Sequence, residues 1–192
     1  MKNSQKVAVV GASGVVGRAL VEHLMQGEIP VVGLSRRPPA DLADAPFQPL
    51  DLTSPSECEQ IAESTLSDVT HLVYTALFEK PGLIPGWQEQ DQMQTNLAML
   101  RNLLEPLKTS GKLRHVTLLQ GTKAYGAHVE PMKIPGLESD PRHLHENFYW
   151  LQEDYLRDLC RGTDLQFTIW RPQVIFGHAL HAPMNMLAAI GV

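Results

Sequence analysis

Residues 6–17, Lys6-Val7-Ala8-Val9-Val10-Gly11-Ala12-Ser13-Gly14-Val15-Val16-Gly17, decide how the rest of the chain is read. Val7 to Val10 is an unbroken apolar run and reads as a buried strand. It runs into glycines at 11, 14 and 17, after which the apolar period changes, with Val16, Leu20, Leu24 and Met25 at helical spacing. Strand, glycine turn and helix form the phosphate-binding opening of a dinucleotide fold: Gly11 lets the chain turn, Gly14 lets backbone approach a pyrophosphate, and Gly17 lets helix pack on strand. Main-chain N–H groups at the helix start, at its positive dipole end, would hold the anion. Gly11, Ser13, Gly14, Val15, Val16 and Gly17 are therefore the first candidate cofactor contacts. The spacing Gly-x-x-Gly-x-x-Gly also fits an ordinary strand–turn–helix; its place at the head of an alternating pattern is what gives it weight.

That pattern continues along the chain. Pro30 to Ser35 reads as a second strand, closed by Ser35-Arg36-Arg37-Pro38-Pro39, and Phe47 to Leu50 as a third, ending at Asp51-Leu52-Thr53. A helix follows, with Ser54 as cap, Pro55 at its first position and Glu57 completing a capping box. Val69 to Ala76 reads as the fourth strand, and the Pro/Gly-rich stretch from Lys80 to Trp87 as a loop long enough to lie over a site. Met93, Leu97, Leu100 and Leu104 mark a long helix, Leu113 to Leu119 the fifth strand, and residues 127–146, rich in Pro, His and charge, a surface connection. Asn147 to Arg161 is a helix, Leu165 to Trp170 a sixth strand, and the end of the chain, after Gly177, the start of another helix. Strands alternating with helices predict an α/β fold with a doubly wound parallel sheet, a Rossmann domain over residues 1–192. Ligands of such sheets bind at the C-terminal ends of the strands, so Thr75 and Ala76 join the cofactor contacts.

The 192 residues fit one domain, and 43% hydrophobic with 19% charged residues are globular values. A net charge of −5 argues against nucleic acid or an anionic membrane as partner. The N-terminal residues lead straight into a core strand with no secretory signal pattern, and no apolar run reaches the length of a membrane span. Cys58 and Cys160 fall in predicted helices without metal-like spacing, which predicts reduced thiols in a cytoplasmic protein and no metal site.

Arg36 and Arg37 follow the second strand, where the adenosine ribose of a dinucleotide should lie. A basic pair there suits a 2′-phosphate, so NADP(H) is the expected cofactor, with Ser35 beside the pair. Asp51, with Leu52, is placed for the adenine edge, although Asp-Leu-Thr is also ordinary turn chemistry. Lys123 sits just past the fifth strand. On the helix that follows, Phe148, Leu151, Tyr155 and Leu159 form the expected core stripe, and Tyr149 lies off it, free to put its hydroxyl on a ligand. Tyr125 is a rival for the same role, and periodicity does not separate the two.

Gly11-x-x-Gly14-x-x-Gly17, Asp51-Leu-Thr, Asn96-Leu-Ala-Met-Leu-Arg-Asn102 and Arg171-Pro-x-x-x-x-Gly177 resemble an extended short-chain dehydrogenase/reductase. Leu119-Gln-Gly-Thr-Lys123-Ala-Tyr-Gly126, Asn147-Phe-Tyr-Trp-Leu-Gln-Glu-Asp154 and Ser35-Arg-Arg-Pro narrow the resemblance to the progesterone 5β-reductase/iridoid synthase family, which reduces the C=C bond of activated enones with NADPH. The usual Tyr-x-x-x-Lys pair is absent, since Glu153 stands four beyond Tyr149. The resemblance implies that Lys123 and Tyr149 are the catalytic pair and also touch the cofactor, with Lys123 lowering the tyrosine pKa, and that Pro172 and the backbone around Val174 border the nicotinamide. It implies a small enone-like substrate and leaves a homodimer open. Members of that family continue well past the Arg-Pro-x-x-x-x-Gly segment, whereas this chain stops at Val192 inside an apolar helical pattern, so the substrate-capping region is expected to be missing. The competing readings are a nucleotide-sugar epimerase or dehydratase and a non-catalytic NADP-binding sensor.

Overall fold

A computed structural model describes residues 5–81, 85–181, 185 and 190–191. Six strands, β1 (Val7–Val10), β2 (Val31–Ser35), β3 (Phe47–Pro49), β4 (His71–Tyr74), β5 (His115–Leu119) and β6 (Gln166–Trp170), pair in the order β3-β2-β1-β4-β5-β6. Every pairing is parallel, with Val9 opposite Gly33 on one side and Val73 on the other. Among the described residues four helices connect them: α1 (Val15–Gln26), α2 (Pro55–Glu63), α3 (Gln90–Thr109) and α4 (Phe148–Cys160). Single 3-10 turns cover Pro85–Gln88 and Thr122–Tyr125. The predicted doubly wound sheet is what forms.

The sheet buries both faces. Ala8, Val10, Leu72, Tyr74, Val116 and Leu118 pack with residues of α2, α3 and α4, while Val7, Val9 and Val31 pack with Val21 and Leu24 of α1. Strand β1 is the branch point, with β2 on one side and β4 on the other, so its C-terminal end is where a crevice opens. The Thr75 hydroxyl closes the floor of that crevice by donating to the Val10 carbonyl at 2.7 Å. No helix among the described residues is long and apolar enough to cross a membrane.

The α3 stripe of Met93, Leu97, Leu100 and Leu104 is buried as expected, whereas that of α1 is rotated. In α1 the buried residues are Gly17, Arg18, Val21 and Leu24. Val16 and Leu20 instead border a cavity of about 1040 Å³ that lies alongside α1 over β5 and β6. The α2 cap also differs: Ser54 accepts from the Glu57 N–H at 3.4 Å, but the Glu57 carboxylate takes the Asp51 N–H at 3.1 Å rather than that of Ser54. The return bond thus ties the helix to the end of β3. The further helix expected after Gly177 lies mostly outside the described residues, as do residues 82–84 of the Lys80–Trp87 loop.

Candidate active site

The glycine turn has the shape the sequence requires. Gly11 adopts φ +88°, and a Cβ there would stand 2.6 Å from the Thr75 hydroxyl. Gly17 lies so close to β1 that a Cβ would meet the Gly11 carbonyl oxygen at 2.2 Å. In front of Gly14 the space is open, the nearest atom to a Cβ being the Gly11 oxygen at 3.4 Å. Helix α1 has no side-chain cap, so the main-chain N–H groups of Val15, Val16 and Gly17 can still receive an anion. Ser13, Gly14, Val15 and Val16 are half-buried at the rim of this turn.

At the other end of the crevice Arg36 and Arg37 are exposed, and among the described residues neither reaches a carboxylate within ion-pair distance. The Ser35 hydroxyl donates to the Arg37 carbonyl at 2.6 Å, which folds the pair back over the strand end. Asp51 does the turn chemistry: its Oδ1 accepts from the Thr53 N–H at 2.9 Å and hydroxyl at 2.8 Å. These bonds, with Arg36 nearby, hold its carboxyl below the ordinary range. Leu52 is 7% exposed in the core and its carbonyl accepts from Asn102, which leaves its N–H as the group it can offer a ligand.

The two catalytic candidates meet on a residue that sequence reasoning missed. Trp87, 2% exposed, has the Lys123 ammonium 3.8 Å from its ring centroid and the Tyr149 ring edge-on at 5.1 Å. Its indole N–H donates to Glu79 at 2.7 Å, and the same carboxylate oxygen lies 3.7 Å from the Lys123 nitrogen. Asn147 fixes both sides of the pair: its side chain donates to the Lys123 carbonyl at 2.6 Å and accepts the Tyr149 N–H at 2.9 Å as the cap of α4. A Cβ on Gly121 would sit 3.6 Å from both the Tyr149 hydroxyl and the Pro172 carbonyl, so these two groups face one spot at the ends of β5 and β6. Thr75 and Ala76 stand just beyond β4 against the glycine turn. Val174 is exposed.

The electrostatics correct one expectation. Lys123 does not lower the tyrosine pKa here. Burial pushes the Tyr149 hydroxyl well above its ordinary value and the Glu79 carboxylate pushes the same way. Burial pushes Lys123 down, against the Glu79 charge. The tyrosine is thus a stable hydrogen-bond donor at neutral pH.

Tyr125 is engaged elsewhere, its ring 5.1 Å beneath the Arg171 guanidinium. Residues 127–146 are not simply surface. Both ring nitrogens of His128 and of His143 are inaccessible and have no hydrogen-bond partner among the described residues. The His143 ring packs 4.1 Å from that of Trp150, and burial takes the His128 pKa down to about 4. This also explains why α4 is buried more widely than its stripe predicted: Trp150 lies under His143 and donates to the Ala124 carbonyl at 3.2 Å. Leu151 is only half-buried.

Glu153, where a Tyr-x-x-x-Lys enzyme would carry its lysine, is 4% exposed and meets three arginines: Arg171 at 2.9 Å, Arg157 at 2.8 Å and Arg142 at 3.4 Å. Arg171 also donates to Gln120 at 2.9 Å, so the cluster ties β5, α4 and the loop after β6 together. Burial pushes the Glu153 pKa up, but the Arg157 hydrogen bond and the Arg171 charge outweigh it and hold it below 4.5. Its contribution to stability is therefore complete above pH 4.5 and lost as pH falls through the lower folded value. Glu153→Ala leaves Arg171 without its counter-ion and should cost about 3 kcal/mol at neutral pH. Urea unfolding at pH 7 and pH 4 measures this, and the variant's deficit should shrink at the lower pH.

An all-parallel sheet in this order, with a glycine turn at its branch point and a tyrosine and lysine at the strand ends, defines a Rossmann domain of the short-chain dehydrogenase/reductase class. The chain belongs to the NAD dependent epimerase/dehydratase family, whose model matches residues 7–190. Within it, the chain resembles the progesterone 5β-reductase/iridoid synthase group. It is 32% identical over 206 residues to an (S)-8-oxocitronellyl enol synthase of Catharanthus roseus, covering 100% of this chain and 50% of that protein. It is 32% identical over 201 residues to a 3-oxo-Delta(4,5)-steroid 5-beta-reductase of Arabidopsis thaliana, covering 96% and 50%. A UDP-glucose 4-epimerase structure matches the fold with a TM-score of 0.75 at 16% identity, over 91% of this chain and 53% of that one. A short-chain dehydrogenase/reductase superfamily protein from Agrobacterium tumefaciens with bound NAD gives 0.71 at 20% identity, over 87% and 48%. The chain spans about half the length of the relatives it matches.

Proposed function

We propose that this chain carries the cofactor half of an NADPH-dependent reductase that saturates the C=C bond of small α,β-unsaturated carbonyl compounds in the cytoplasm. The observation that carries the reading is the meeting of Tyr149 and Lys123 on the buried Trp87 ring, with the Tyr149 hydroxyl beside Gly121 and the Pro172 carbonyl. The uncapped start of α1 and the open space before Gly14 fit a pyrophosphate, and the unpaired Arg36 and Arg37 fit a 2′-phosphate. A bound nicotinamide would supply a hydride to the β-carbon of the enone, and the α-carbon would take its proton from solvent, which completes saturation of the C=C bond. As negative charge grows on the carbonyl oxygen, the Tyr149 hydroxyl donates to it, and the Lys123 ammonium offsets that charge. The raised pKa of Tyr149 keeps the donor protonated throughout the neutral range. Glu153 and its arginines occupy the place of the lysine that an epimerase-type site would use. This favours a donor pair assembled from the β5 loop and α4.

The decisive experiment is NADPH consumption by the intact protein with a panel of small enones, nucleotide sugars serving as controls. Turnover of enones supports the reading, and conversion of a nucleotide sugar alone, read by product chromatography because epimerisation and dehydration consume no net NADPH, overturns it. The cofactor assignment has its own test. Arg36→Ala and Arg37→Ala should each weaken NADPH binding by about 10- to 100-fold, the worth of one lost charge-assisted hydrogen bond, while NADH binding is nearly unchanged. Equal losses for both dinucleotides would remove the 2′-phosphate from the argument.

A further inference from the structure

The loop after β4 brings a carboxylate into the site that the cofactor and the Tyr149–Lys123 pair do not account for. Glu79, with a side chain 16% exposed, accepts the Trp87 indole N–H at 2.7 Å and lies 3.7 Å from the Lys123 nitrogen. Its neighbours in sequence are pinned to α3. Phe78 donates its N–H to Asn96 at 2.9 Å and accepts from the same side chain at 2.7 Å, and the Lys80 N–H goes to Gln92 at 2.8 Å. The Lys80 ammonium binds Glu89 and Asp91. The carboxylate is therefore held in place, on a backbone that cannot easily carry it away.

Its position is costly unless it has a purpose, because a negative charge there opposes the negative charge that would develop beside Tyr149. The other titratable groups facing Lys123 do not compensate the ammonium. Tyr149, from α4, is neutral, and so is His128, from the segment after Thr122–Tyr125. Among the described residues Glu79 is the carboxylate within ion-pair distance of Lys123. We propose that Glu79 is a positioning residue: clamped by the Trp87 indole, its carboxylate holds the Lys123 side chain across the Trp87 ring and keeps it charged. The inference rests on reading Lys123 as the cation of the site. Without the carboxylate, a half-buried ammonium over an indole has only the ring to offset its lost hydration, and it gives up its proton more easily.

Competitive labelling with acetic anhydride across about pH 7 to 11, with the Lys123 peptide quantified by mass spectrometry, reads this directly and needs no turnover. In Glu79→Gln, which keeps an acceptor for the indole N–H but removes the charge, the Lys123 labelling midpoint should fall by about 1–3 pH units. In Glu79→Asp, which keeps the charge, it should stay close to that of the unaltered protein. Lys133, 66% exposed and paired with Asp140 instead of Glu79, should label identically in all three. An unmoved Lys123 midpoint in Glu79→Gln, or an equal shift in Glu79→Asp, overturns the proposal. Because labelling is independent of catalysis, a protein that shows the shift yet reduces no enone removes the enone reading and leaves the Glu79 role standing. In a protein that does reduce enones, the alkaline limb of kcat should move to lower pH in Glu79→Gln while NADPH affinity is unchanged.

Discussion

Tyr149→Phe should lower enone reduction by about 100- to 1000-fold, the usual loss when one donor to a developing oxyanion is removed, while NADPH binds as before. The substitution deletes one oxygen and nothing else of consequence. The ring keeps its packing, at 5.1 Å from Trp87 and 4.6 Å from Phe148. The main-chain bonds that fix the residue, from Tyr149 N–H to Asn147 and from Gln120 to the Tyr149 carbonyl, survive unchanged. A loss of activity would therefore report on the hydroxyl and not on a collapsed site. Steady-state kinetics with an enone substrate, paired with a fluorescence titration of NADPH, separates the two effects, and full activity in the variant would remove Tyr149 from the mechanism.

Gly17→Ala should be the most damaging single-methyl change in the cofactor site. The new Cβ would stand 2.2 Å from the Gly11 oxygen, 2.7 Å from its carbonyl carbon and 3.0 Å from the Ala12 Cα. All three are backbone atoms of the turn, so no side chain can swing aside. Helix α1 would have to lift from β1, at a cost of about 1–3 kcal/mol or more for an overpacked core contact. At about 2–4 °C per kcal/mol for a chain of this size, the melting temperature should fall by roughly 2–12 °C. Displacing the helix start also moves the N–H groups offered to a pyrophosphate, so dinucleotide binding should fall with it. Gly14→Ala is the control. Its Cβ meets only the Gly11 oxygen, at 3.4 Å, so stability should hardly change while the methyl obstructs the ligand's approach. Equal melting temperatures for the two variants would contradict this division of labour.

The parts of the fold legible in the sequence are those whose signals are local. The run Val7–Val10, the change of period at α1 and the Ser54-Pro55 start of α2 all report on neighbouring residues, and all three elements form as read. Lys123 and Tyr149 could be singled out because each sits beside a strand end or on a helix edge. Glu79 and Trp87 could not. They flank a Pro/Gly-rich loop, and the backbone on either side of Glu79 is anchored at Phe78 and Lys80 by Asn96 and Gln92, two polar side chains buried in α3. Hydrophobic periodicity is blind to such residues. Arg18 and Glu153 are only half legible for the same reason: each has one ion-pair partner a helical turn away, Glu22 and Arg157, but the second, Asp41 or Arg171, comes from elsewhere in the chain. His128 and His143 look like surface by composition and become enclosed only when residues 127–146 fold back against Trp87 and Trp150.

The Asn96 amide has an energetic consequence of its own. Two of its bonds satisfy both main-chain groups of Phe78, and its NH₂ group also bonds the Gln92 carbonyl within α3 at 2.9 Å. Its own main-chain carbonyl accepts from Gln152 of α4 at 3.0 Å. Freeing the backbone beside Glu79 would strand a buried amide, an uncompensated cost that a surface loop does not bear. The segment after β4 thus looks irregular along the chain but belongs, cooperatively, to the α3–α4 unit, and local fluctuation at the surface does not suffice to open it.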